Sequence, residues 1–397
     1  MRYDVIVVGG GPAGATAALA LAKAGAKVLL VERRKLPRYK PCGGCLSQRV
    51  ERLIPFELGT LIEERITGLT FTWRSRNPVA ATFAEPVALM IWRHAFDRAL
   101  CGRAVDAGAE LRDGQAVRAV RESANCVEVD VDGMTATADF VVGADGVAGV
   151  VARDLFPDRD QPGLVALDAE LPLNSAAEAK LKGRVILDVG QAPGGYGWVF
   201  PKGGVASVGI AVERRAAKQV MSCLTAFLSS SGFSDRSAMR TTGALIPIYG
   251  NGSRSLHRGR ALLVGDAARL VDPFLGEGIY YAIQSGQHAA QTILAEGSRN
   301  GDLSSYRTAV SRTIIPELEA AGRLSRTAHR APWLWFQVLK RRRSVIDLYR
   351  KVLTGEATYR WFEDQVWAGT PRAVVALFGM WAGRGALRDR LQESGSA

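Results

Sequence analysis

The first residues of the chain combine short apolar runs with an alanine-rich segment. Residues 3–8 (YDVIVV) and 27–31 (KVLLV) are nearly continuous apolar runs, which predict buried strands, and the segment between them, 12–24, predicts a helix. A strand, a helix and a second strand of this kind form a βαβ unit with parallel strands and a right-handed crossover. The chain therefore begins as an α/β fold.

Later segments predict a second kind of sheet. Short strand-like runs fill residues 66–92, a helix is predicted over 93–108, and alternating strands continue to about residue 142. Residues 164–248 indicate mostly strands, with one helix near 214–231, and the pattern turns helical after the segment ALLVGDAA. We thus predict an α/β fold, in which a Rossmann-like domain carries an inserted antiparallel β-sheet domain and a helical C-terminal tail.

The composition fits a globular chain with more than one core. A length of 397 residues is long for a single core. The content of 47% hydrophobic and 23% charged residues is typical of globular proteins and excludes wholesale disorder. No apolar run reaches the ~18 residues of a spanning helix, and the spacing of the five cysteines indicates a reducing compartment. Asp4 and the continuing run VLLVE argue against a cleaved signal peptide. We expect a cytoplasmic protein, either in solution or peripheral on the inner membrane face.

A glycine-rich segment lies between the first predicted strand and helix. The sequence GGGPAG (residues 9–14) has the GxGxxG spacing that lets backbone N–H groups and a helix N-terminus meet a pyrophosphate, and a Cβ at Gly11 would block that approach. Glu32 ends the second strand, 18 residues after Gly14, where a carboxylate accepts hydrogen bonds from ribose hydroxyls. Together these features predict a dinucleotide site. A separate nicotinamide domain is not expected, because there is no second GxGxxG.

A second candidate segment follows the predicted strand ALLV. Gly265 and Asp266 come directly after this strand and precede a glycine-rich bend that opens a helix. Such an aspartate either contacts a cofactor that lies across the strand ends or caps the helix, and the residues alone leave both interpretations open.

These segments resemble, in the same order, the three FAD motifs of the para-hydroxybenzoate hydroxylase superfamily: GGGPAG, GADG (residues 143–146) and Gly265 with Asp266. The resemblance implies that the dinucleotide is FAD and that Asp266, the second of the two motif aspartates, contacts its ribityl chain. Arg93, which opens the segment RHAFDRAL, resembles the arginine that starts the superfamily's intermediate helix near the flavin. An arginine at this position also serves to cap the helix or to bury its aliphatic stem while its charge stays in solvent. The cofactor role and the structural role therefore both stay open.

Three further segments are similar to those of the geranylgeranyl reductases within that superfamily. They are KPCGG (residues 40–44), GYGWVFP (195–201), which resembles a YxWxFP segment, and DPFLGEGI (272–279). The similarity extends over residues 3–350 and implies a flavoenzyme that saturates double bonds in isoprenoid chains. Family members differ in the prenyl compound that they reduce, so the resemblance does not fix the substrate.

The motifs and the resemblance together predict a cofactor site and its domains. The predicted cofactor-binding residues are Gly9, Gly11, Pro12, Ala13, Gly14, Glu32, Arg33, Arg93, Asp145, Gly146, Gly265, Asp266, Gly276, Gly278 and Ile279. The predicted FAD-binding domain comprises residues 1–66, 93–163 and 249–322, the substrate domain 67–92 and 164–248, and the basic, aromatic tail 323–397. Arg33 is included as one of five basic residues in the loop RRKLPRYK, where cations pair with phosphates or remain in solvent. No metal site is predicted, because the single CxxC has no second CxxC or His pair.

Three residues are predicted to act on the substrate. Tyr196 and Trp198 are two residues apart on a predicted strand, so their side chains face the same side. Their rings either line an apolar channel for a polyprenyl chain or pack in the core. The two glycines beside them favour the channel, because a strand glycine marks a close approach. Cys42 matches the family cysteine and is predicted to face the substrate. Cys45 departs from the family pattern, which leaves open a redox pair or an incidental small residue.

The predicted function is the FAD-dependent reduction of C=C bonds in a geranylgeranyl or other polyprenyl group. An isolated alkene is a poor hydride acceptor, so we expect a thiol or water to deliver a proton, aromatic faces to stabilise the cationic character, and reduced flavin to supply hydride from N5. The reductant is external, either NAD(P)H or a ferredoxin-type donor. The alternatives are an FAD-dependent monooxygenase of the same superfamily, and a non-catalytic flavin protein that binds lipid or transfers electrons.

The positive charge of the chain concentrates near its C-terminus. The formal net charge is +12, residues 323–351 hold nine Arg and Lys against Asp347 alone, and five of the eight Trp lie in the last 75 residues. Basic residues beside aromatic ones suit a helix on an anionic membrane surface. They equally suit a helical cap that packs on the FAD domain with its cations in water. A nucleic-acid partner is not predicted, because no reader motif is present.

Overall fold

A computed structural model of the chain describes residues 1–156, 163–233, 240–250, 255–296 and 302–369. The strands, numbered in chain order, are β1 (Arg2–Val8), β2 (Val28–Glu32), β3 (Cys45–Ser47), β4 (Ile62–Ile66), β5 (Gly68–Trp73), β6 (Arg76–Thr82), β7 (Ala88–Ile91), β8 (Glu110–Asp113), β9 (Val117–Glu122), β10 (Val127–Val131), β11 (Met134–Gly143), β12 (Leu164–Pro172), β13 (Arg184–Val189), β14 (Tyr196–Lys202), β15 (Val205–Glu213), β16 (Arg240–Ile246), β17 (His257–Arg258) and β18 (Ala261–Leu263). The α-helices are α1 (Pro12–Lys23), α2 (Arg93–Asp106), α3 (Val150–Leu155), α4 (Ser175–Leu181), α5 (Val220–Ser230), α6 (Ile279–Glu296), α7 (Ser304–Thr313), α8 (Ile315–Arg330), α9 (Pro332–Arg341), α10 (Ser344–Leu353) and α11 (Tyr359–Ala368). Short 3-10 helices cover Gln48–Arg52, Gly59–Leu61, Arg214–Gln219 and Gly265–Ala268.

The chain forms two compact units, each assembled from separate segments. Unit 1 contains Met1–Glu63, Met90–Gly163 and Ala244–Leu318, and unit 2 contains Glu64–Leu89, Leu164–Gly243 and the chain from Glu319 onward. Each unit has a principal sheet of its own, and a small sheet has the strand order β3-β7-β4.

The sheet of unit 1 has a parallel centre. Its strand order is β17-β18-β11-β1-β2-β8, with β10 and β9 extending antiparallel from β11. Strands β18, β11, β1, β2 and β8 run parallel, and β2 is buried over its whole length. From β1 the chain proceeds to β2 and β8 on one side and later to β11 and β18 on the other. The order therefore reverses between β1 and β11, and ligands of such sheets bind beyond the carboxyl ends of the strands at this position.

The sheet of unit 2 is mainly antiparallel. Its order is β16-β12-β15-β14-β13-β5-β6, and β13 pairs with β5 in parallel, which agrees with the inserted, mostly antiparallel sheet that the sequence predicts. One face packs on α5, where Val208 and Ile210 of β15 share a buried cluster with Phe227. Because side chains alternate along a strand, Trp198 and Ser207 lie on the opposite face.

Two helical segments of unit 2 differ from the sequence prediction. Helix α4 lies within a stretch that the sequence predicts as strands. It has only seven residues and begins after Asn174, whose side chain accepts a hydrogen bond from the N–H of Ala177 at 2.9 Å. A capped helix of this length has too few turns to show a helical hydrophobic period. The helix predicted near 214–231 is a 3-10 turn followed by α5.

Helices α9, α10 and α11 of the tail lie in unit 2. The ring of Trp73 on β5 lies 6.2 Å from the ring of Trp333 and 6.1 Å from that of Phe336, both on α9. The sequence analysis considered a cap on the FAD domain, whereas these aromatic contacts are with the sheet of unit 2. The last part of the predicted tail, 370–397, lies outside the described residues. Within the described ranges, no helix combines the length and the apolar character needed to cross a bilayer.

Candidate active site

The glycines of the first motif occupy three different environments. Gly9, at the end of β1, has a φ of 110°, and a Cβ there would overlap the carbonyl oxygen of Ala144. A Cβ at Gly14 would overlap the carbonyl oxygen of Gly9, so α1 lies directly against the loop that follows β1. At Gly11, by contrast, the nearest atom to such a Cβ is Nη2 of Arg38, 4.0 Å away. The chain packs tightly around two glycines and leaves space at the third, which is the arrangement that a pyrophosphate needs.

Small residues hold the first turn of α1 in place. Pro12 occupies the start of the helix, where its missing N–H has no intrahelical partner to lose. A Cβ at Gly286 of α6 would overlap the carbonyl oxygen of Ala13, and one at Gly265 would lie 3.0 Å from the Ala13 Cβ. No acidic residue lies in the first turn of α1. The positive end of the α1 dipole therefore faces the space beside Gly11, and no negative side chain in the first turn offsets it.

Glu32 fixes the loop that follows β1. It is 5% exposed, and its Oε2 accepts a hydrogen bond from the N–H of Gly10 at 3.0 Å and lies 3.2 Å from Nε of Arg38. Its Oε1 accepts from the N–H of Arg34 at 3.0 Å. Since a carboxylate oxygen accepts two hydrogen bonds, Oε1 retains capacity for a ribose hydroxyl, which is the role that the sequence predicts.

Arg38 and Arg93 meet at the buried carboxylate of Asp97. Arg93 donates from Nε and Nη2 to the two oxygens of Asp97 at 2.9 Å each, and Nη1 of Arg38 lies 3.0 Å from Oδ2. Burial lowers the pKa of Arg93, but the interactions with the Asp97 carboxylate and the Cys42 side chain raise it more, so the net pKa lies above its ordinary value. In the sequence, Arg38 is one of the five basic loop residues and has no individual predicted role, and Asp97 is not predicted. The four-residue spacing of Arg93 and Asp97 on one helix was the available signal.

Cys42 adjoins this network. Its side chain is hydrogen-bonded to Arg93, and its Sγ accepts from the N–H of Gly44 at 3.4 Å. Neither Cys42 nor Cys45 forms a disulfide with another described residue, and both side chains are half-buried. A cation and an N–H donor therefore face Cys42, which is a polar setting for a side chain that otherwise packs as a small apolar one.

The loop after β11 supplies an unsatisfied acceptor. The N–H of Val151 donates to Oδ2 of Asp145 at 3.1 Å, whereas Oδ1 is buried and has no hydrogen-bond partner among the described residues. Burial raises the pKa of Asp145 to about 6, although backbone N–H groups and the charge of Arg33 oppose the shift. Gly146 follows with a φ of 83° and open space where a Cβ would stand. A hydroxyl of a bound dinucleotide would satisfy Oδ1 at this position.

The third predicted segment brings Asp266 and Gly278 together. A Cβ at Gly278 would lie 3.5 Å from Oδ1 of Asp266, in the turn after β18. Asp266 lies inside the 3-10 helix Gly265–Ala268, which has no side-chain cap. Gly276 has a φ of 74°, and Ile279 begins α6. The aspartate and the glycine-rich bend therefore share one surface of unit 1.

Polar residues that the sequence analysis missed hold this bend. The carboxylate of Asp272, which is fully buried, accepts hydrogen bonds from two backbone N–H groups of the bend at 2.7 and 3.2 Å. Arg49 is 5% exposed, pairs with Glu277, and places its guanidinium 3.8 Å from the ring centroid of Tyr280. Asp272 and Glu277 lie within the DPFLGEGI segment, whereas the sequence around Arg49 carries no comparable signal.

Tyr196 and Trp198 lie on the same face of β14 in unit 2. Their ring centroids are 6.0 Å apart, and the ring of Trp198 lies 6.3 Å from that of Phe200. Both predicted residues are buried, with 7% and 6% exposure. They therefore form part of a continuous aromatic row rather than a pair of separate contacts.

The glycines beside these aromatic residues make room for the chain itself. A Cβ at Gly197 would lie 3.0 Å from the ring of Phe227, and one at Gly195 would overlap the carbonyl oxygen of Ala211. The inference that such glycines mark a ligand is therefore not supported, because neighbouring protein atoms already account for both.

The residues of unit 1 fit a bound dinucleotide. The open space at Gly11, the N-terminus of α1 and the unsatisfied Oδ1 of Asp145 all lie where β1 and β11 end. Within the part of the chain that the structure describes, no group of three or more His, Cys, Asp or Glu is placed to hold a metal ion. Fold and site thus define a dinucleotide-binding protein of the Rossmann-like class.

Comparison with known proteins identifies the dinucleotide and the family. Residues 2–312 match the FAD binding domain family. The chain is 35% identical over 308 residues to the geranylgeranyl diphosphate reductase of Rhodobacter capsulatus, covering 74% of this chain and 76% of that one. It is 31% identical over 319 residues to digeranylgeranylglycerophospholipid reductase 1 of Methanococcoides burtonii, covering 76% and 77%. The chain belongs to the geranylgeranyl reductase family and is an FAD-dependent oxidoreductase.

The fold is shared with a solved structure. A crystal structure of a geranylgeranyl bacteriochlorophyll reductase-like protein from Thermoplasma acidophilum matches with a TM-score of 0.71 at 21% identity, covering 99% of both chains. The fold class predicted from the sequence is therefore confirmed.

Proposed function

We propose that the enzyme saturates carbon–carbon double bonds in a geranylgeranyl or other polyprenyl group. The observation that carries this proposal is the contact between Cys42, in the KPCGG segment, and Arg93, in the same unit as the FAD site. The relatives named for a prenyl diphosphate and for a prenylated glycerophospholipid support a substrate with an isoprenoid chain.

The residues of unit 1 bind and orient the cofactor. FAD, when bound and reduced, supplies a hydride from N5. The backbone at Gly11 and the N-terminus of α1 receive the pyrophosphate, and Arg38 places a positive charge beside it. Glu32 and Asp145 accept hydrogen bonds from cofactor hydroxyls.

The reaction also needs a proton and a site for positive charge. An isolated alkene has no carbonyl to take up charge, so a proton adds to one carbon as the hydride adds to the other, and each bond gains two hydrogen atoms. Cys42 or a water molecule supplies the proton. The faces of Tyr196 and Trp198 stabilise the developing positive charge through their quadrupoles.

The electrons come from a separate donor, either NAD(P)H or a ferredoxin-type protein. Mixing the oxidised enzyme with each donor under anaerobic conditions and following the flavin absorbance distinguishes them, since only the true donor bleaches the flavin within the turnover time.

A membrane surface is proposed as a further partner, through the exposed part of the tail. Several cations of the tail bond within the chain: Arg323 with Glu363, Arg350 with Glu356, and Arg342 with the carbonyl oxygens of Gln365 and Val366. Trp333 is 51% exposed, and Lys340, Arg341 and Arg343 are exposed on the same stretch. Exposed cations beside an exposed Trp suit anionic lipid. Co-sedimentation with phosphatidylserine vesicles, and not with phosphatidylcholine vesicles, is expected.

The main test is single turnover without an external donor. The purified flavoprotein is reduced chemically without oxygen and mixed with geranylgeranyl diphosphate or a geranylgeranylated glycerolipid. We expect the flavin absorbance to recover and the product to gain two hydrogens per reduced bond. Gain of one oxygen atom when air is admitted would instead identify a monooxygenase. Failure of every prenyl compound to reoxidise the flavin would favour a non-catalytic flavin protein.

A further inference from the structure

A buried carboxylate of unit 2 contacts the indole of Trp198. Asp168 on β12 is paired opposite Gly209 on β15, and Gly209 is paired opposite Trp198 on β14, so the three residues form one row across the sheet. The Nε1 of Trp198 donates to Oγ of Ser207 at 3.1 Å and lies 3.3 Å from Oδ1 of Asp168. Oγ of Ser207 in turn donates to the same Oδ1 at 2.5 Å. The indole N–H therefore has two acceptors that are themselves linked.

The position of the indole ring is fixed on more than one side. A Cβ at Gly209 would overlap Cζ2 of Trp198, so the ring lies directly over this glycine. Tyr196 and Phe200 flank the ring along the strand. Rotation of the ring away from this position would break the hydrogen bonds to Ser207 and Asp168 and leave buried polar atoms unsatisfied.

Burial and neighbouring groups have opposing effects on the pKa of Asp168. Burial raises the pKa of this carboxyl group above its ordinary value, and the charge of Glu170 acts in the same direction. The hydrogen bonds from Ser207 and Trp198 and the charge of Lys202, which is 1% exposed, act in the opposite direction. Oδ2 of Asp168 is buried and has no hydrogen-bond partner among the described residues. The acceptor that the indole N–H meets is therefore a titratable group in a dry setting.

We propose that Asp168 is a positioning residue that holds the Trp198 indole through its N–H and, as a carboxylate, makes the face of the ring more electron-rich. An anionic acceptor strengthens the hydrogen bond and polarises the donor group, and a more negative ring face attracts cationic character more strongly. The inference rests on the proposed function, in which Trp198 stabilises positive charge on the substrate.

The first test measures the hydrogen bond between Trp198 and Asp168 by NMR, independently of enzyme activity. The holoenzyme is labelled with ¹⁵N at the indole nitrogens, and the signal of Trp198 is assigned by its loss in Trp198→Phe. In Asp168→Asn we expect the Trp198 N–H signal to move upfield and its exchange with solvent to accelerate about tenfold or more. In the wild type we expect the chemical shift of the Trp198 N–H to change with pH as Asp168 ionises. This change should be absent in Asp168→Asn. The matched control is Glu170→Gln, which removes a carboxylate from the same face of β12. It should keep both the Trp198 signal and its change with pH, with the midpoint moved to lower pH because the charge of Glu170 raises the pKa of Asp168.

Kinetics test the second half of the inference. We expect Asp168→Asn to lower kcat for prenyl reduction about tenfold with KM within about twofold, while Glu170→Gln retains kcat. An unmoved Trp198 signal in Asp168→Asn would overturn the positioning role. A moved signal with unchanged kcat would overturn the role in the reaction. If the wild type reduces no prenyl compound, the proposed function is wrong. The Trp198 N–H signal still tests the hydrogen bond to Asp168 in that case, because it does not depend on turnover.

A second variant covers the case in which Asp168→Asn does not fold. Ser207→Ala removes the nearer acceptor and keeps the carboxylate. Exchange of the Trp198 N–H is expected to accelerate while its pH titration persists, and loss of that titration would contradict the inference.

Discussion

Arg93 donates hydrogen bonds to both carboxylate oxygens of Asp97, one turn later in helix α2, with nitrogen–oxygen distances of 2.9 Å. Since Arg38 pairs with the same carboxylate, one buried anion stabilises two guanidinium groups. These residues connect the basic loop, the intermediate helix and, through Cys42, the KPCGG segment. The order of the cofactor site thus depends on a carboxylate that lies outside the three predicted FAD motifs.

Asp97→Asn is expected to destabilise unit 1 and weaken FAD binding. Removal of the charge leaves two buried guanidinium groups without their shared partner, and breaking a buried pair in this way costs about 3–5 kcal/mol. Denaturant unfolding and flavin titration measure the two effects. Asp106→Asn, in the exposed pair with Arg103 on the same helix, should stay within about 1 kcal/mol of the wild type. Equal behaviour of the two variants would show that the network contributes little.

Gly11→Ala is expected to separate cofactor binding from stability. A Cβ at this position meets no atom of the described residues closer than 4.0 Å, so the apoprotein should unfold at nearly the wild-type temperature. The methyl group occupies the approach of the pyrophosphate, so we expect the Kd for FAD to rise at least about tenfold, or about 1.4 kcal/mol. Gly102→Ala on α2 serves as the control and should keep the wild-type Kd, because a Cβ there also has no neighbour within 4 Å in the described part of the chain.

Cys42→Ala and Cys45→Ala are expected to differ in turnover. Cys42 contacts Arg93, and loss of a proton donor lowers rates by about 10²-fold or more, so kcat should fall by that order. Cys45→Ala should retain most of the activity. Steady-state and single-turnover rates of prenyl reduction check both variants, and wild-type turnover in Cys42→Ala would remove the thiol from the mechanism.

Trp198→Phe and Trp198→Leu are expected to lose activity unequally. Phe keeps a ring quadrupole and Leu does not, and cation–π attraction is worth about 0.5–2 kcal/mol. We therefore expect kcat of the Leu variant to lie about tenfold below that of the Phe variant. Equal losses would mean that Trp198 contributes volume rather than charge stabilisation.

Asp188→Asn is expected to change how stability depends on pH. Asp188 is fully buried, and burial raises its pKa to about 6, although Ser75 and Thr72 donate hydrogen bonds to it. The folded state therefore binds this proton more tightly than the unfolded state, so stability from this group is present near pH 4 and is lost as pH rises through 6. The loss amounts to about 2–3 kcal/mol.

Unfolding measured from pH 4 to 8 in both proteins checks this prediction. Asp145 shifts in the same direction, so the difference between wild type and variant isolates Asp188. Parallel curves for the two proteins would refute the assignment.

Local spacing made part of the site predictable. Gly9, Gly11 and Gly14 lie within one turn and the start of one helix, so their geometry follows from the sequence around them. Arg38 pairs with Asp97, and Arg49 with Glu277, across long stretches of chain, and no spacing rule reveals such partners. The glycines of β14 illustrate a different limit. A strand glycine indicates that an atom lies close, but the sequence does not say whether that atom is a ligand or the ring of Phe227.

The segmented construction of unit 1 has a consequence for biogenesis. Strand β18 pairs with Val141–Gly143 of β11, yet the ribosome makes residues 164–243 of unit 2 between these two strands. Until β18 emerges, the end of β11 has an unpaired edge, and such edges invite aggregation. We therefore expect flavin to bind only after the third segment of unit 1 has been synthesised, and a chain truncated before residue 244 to be colourless and prone to aggregation.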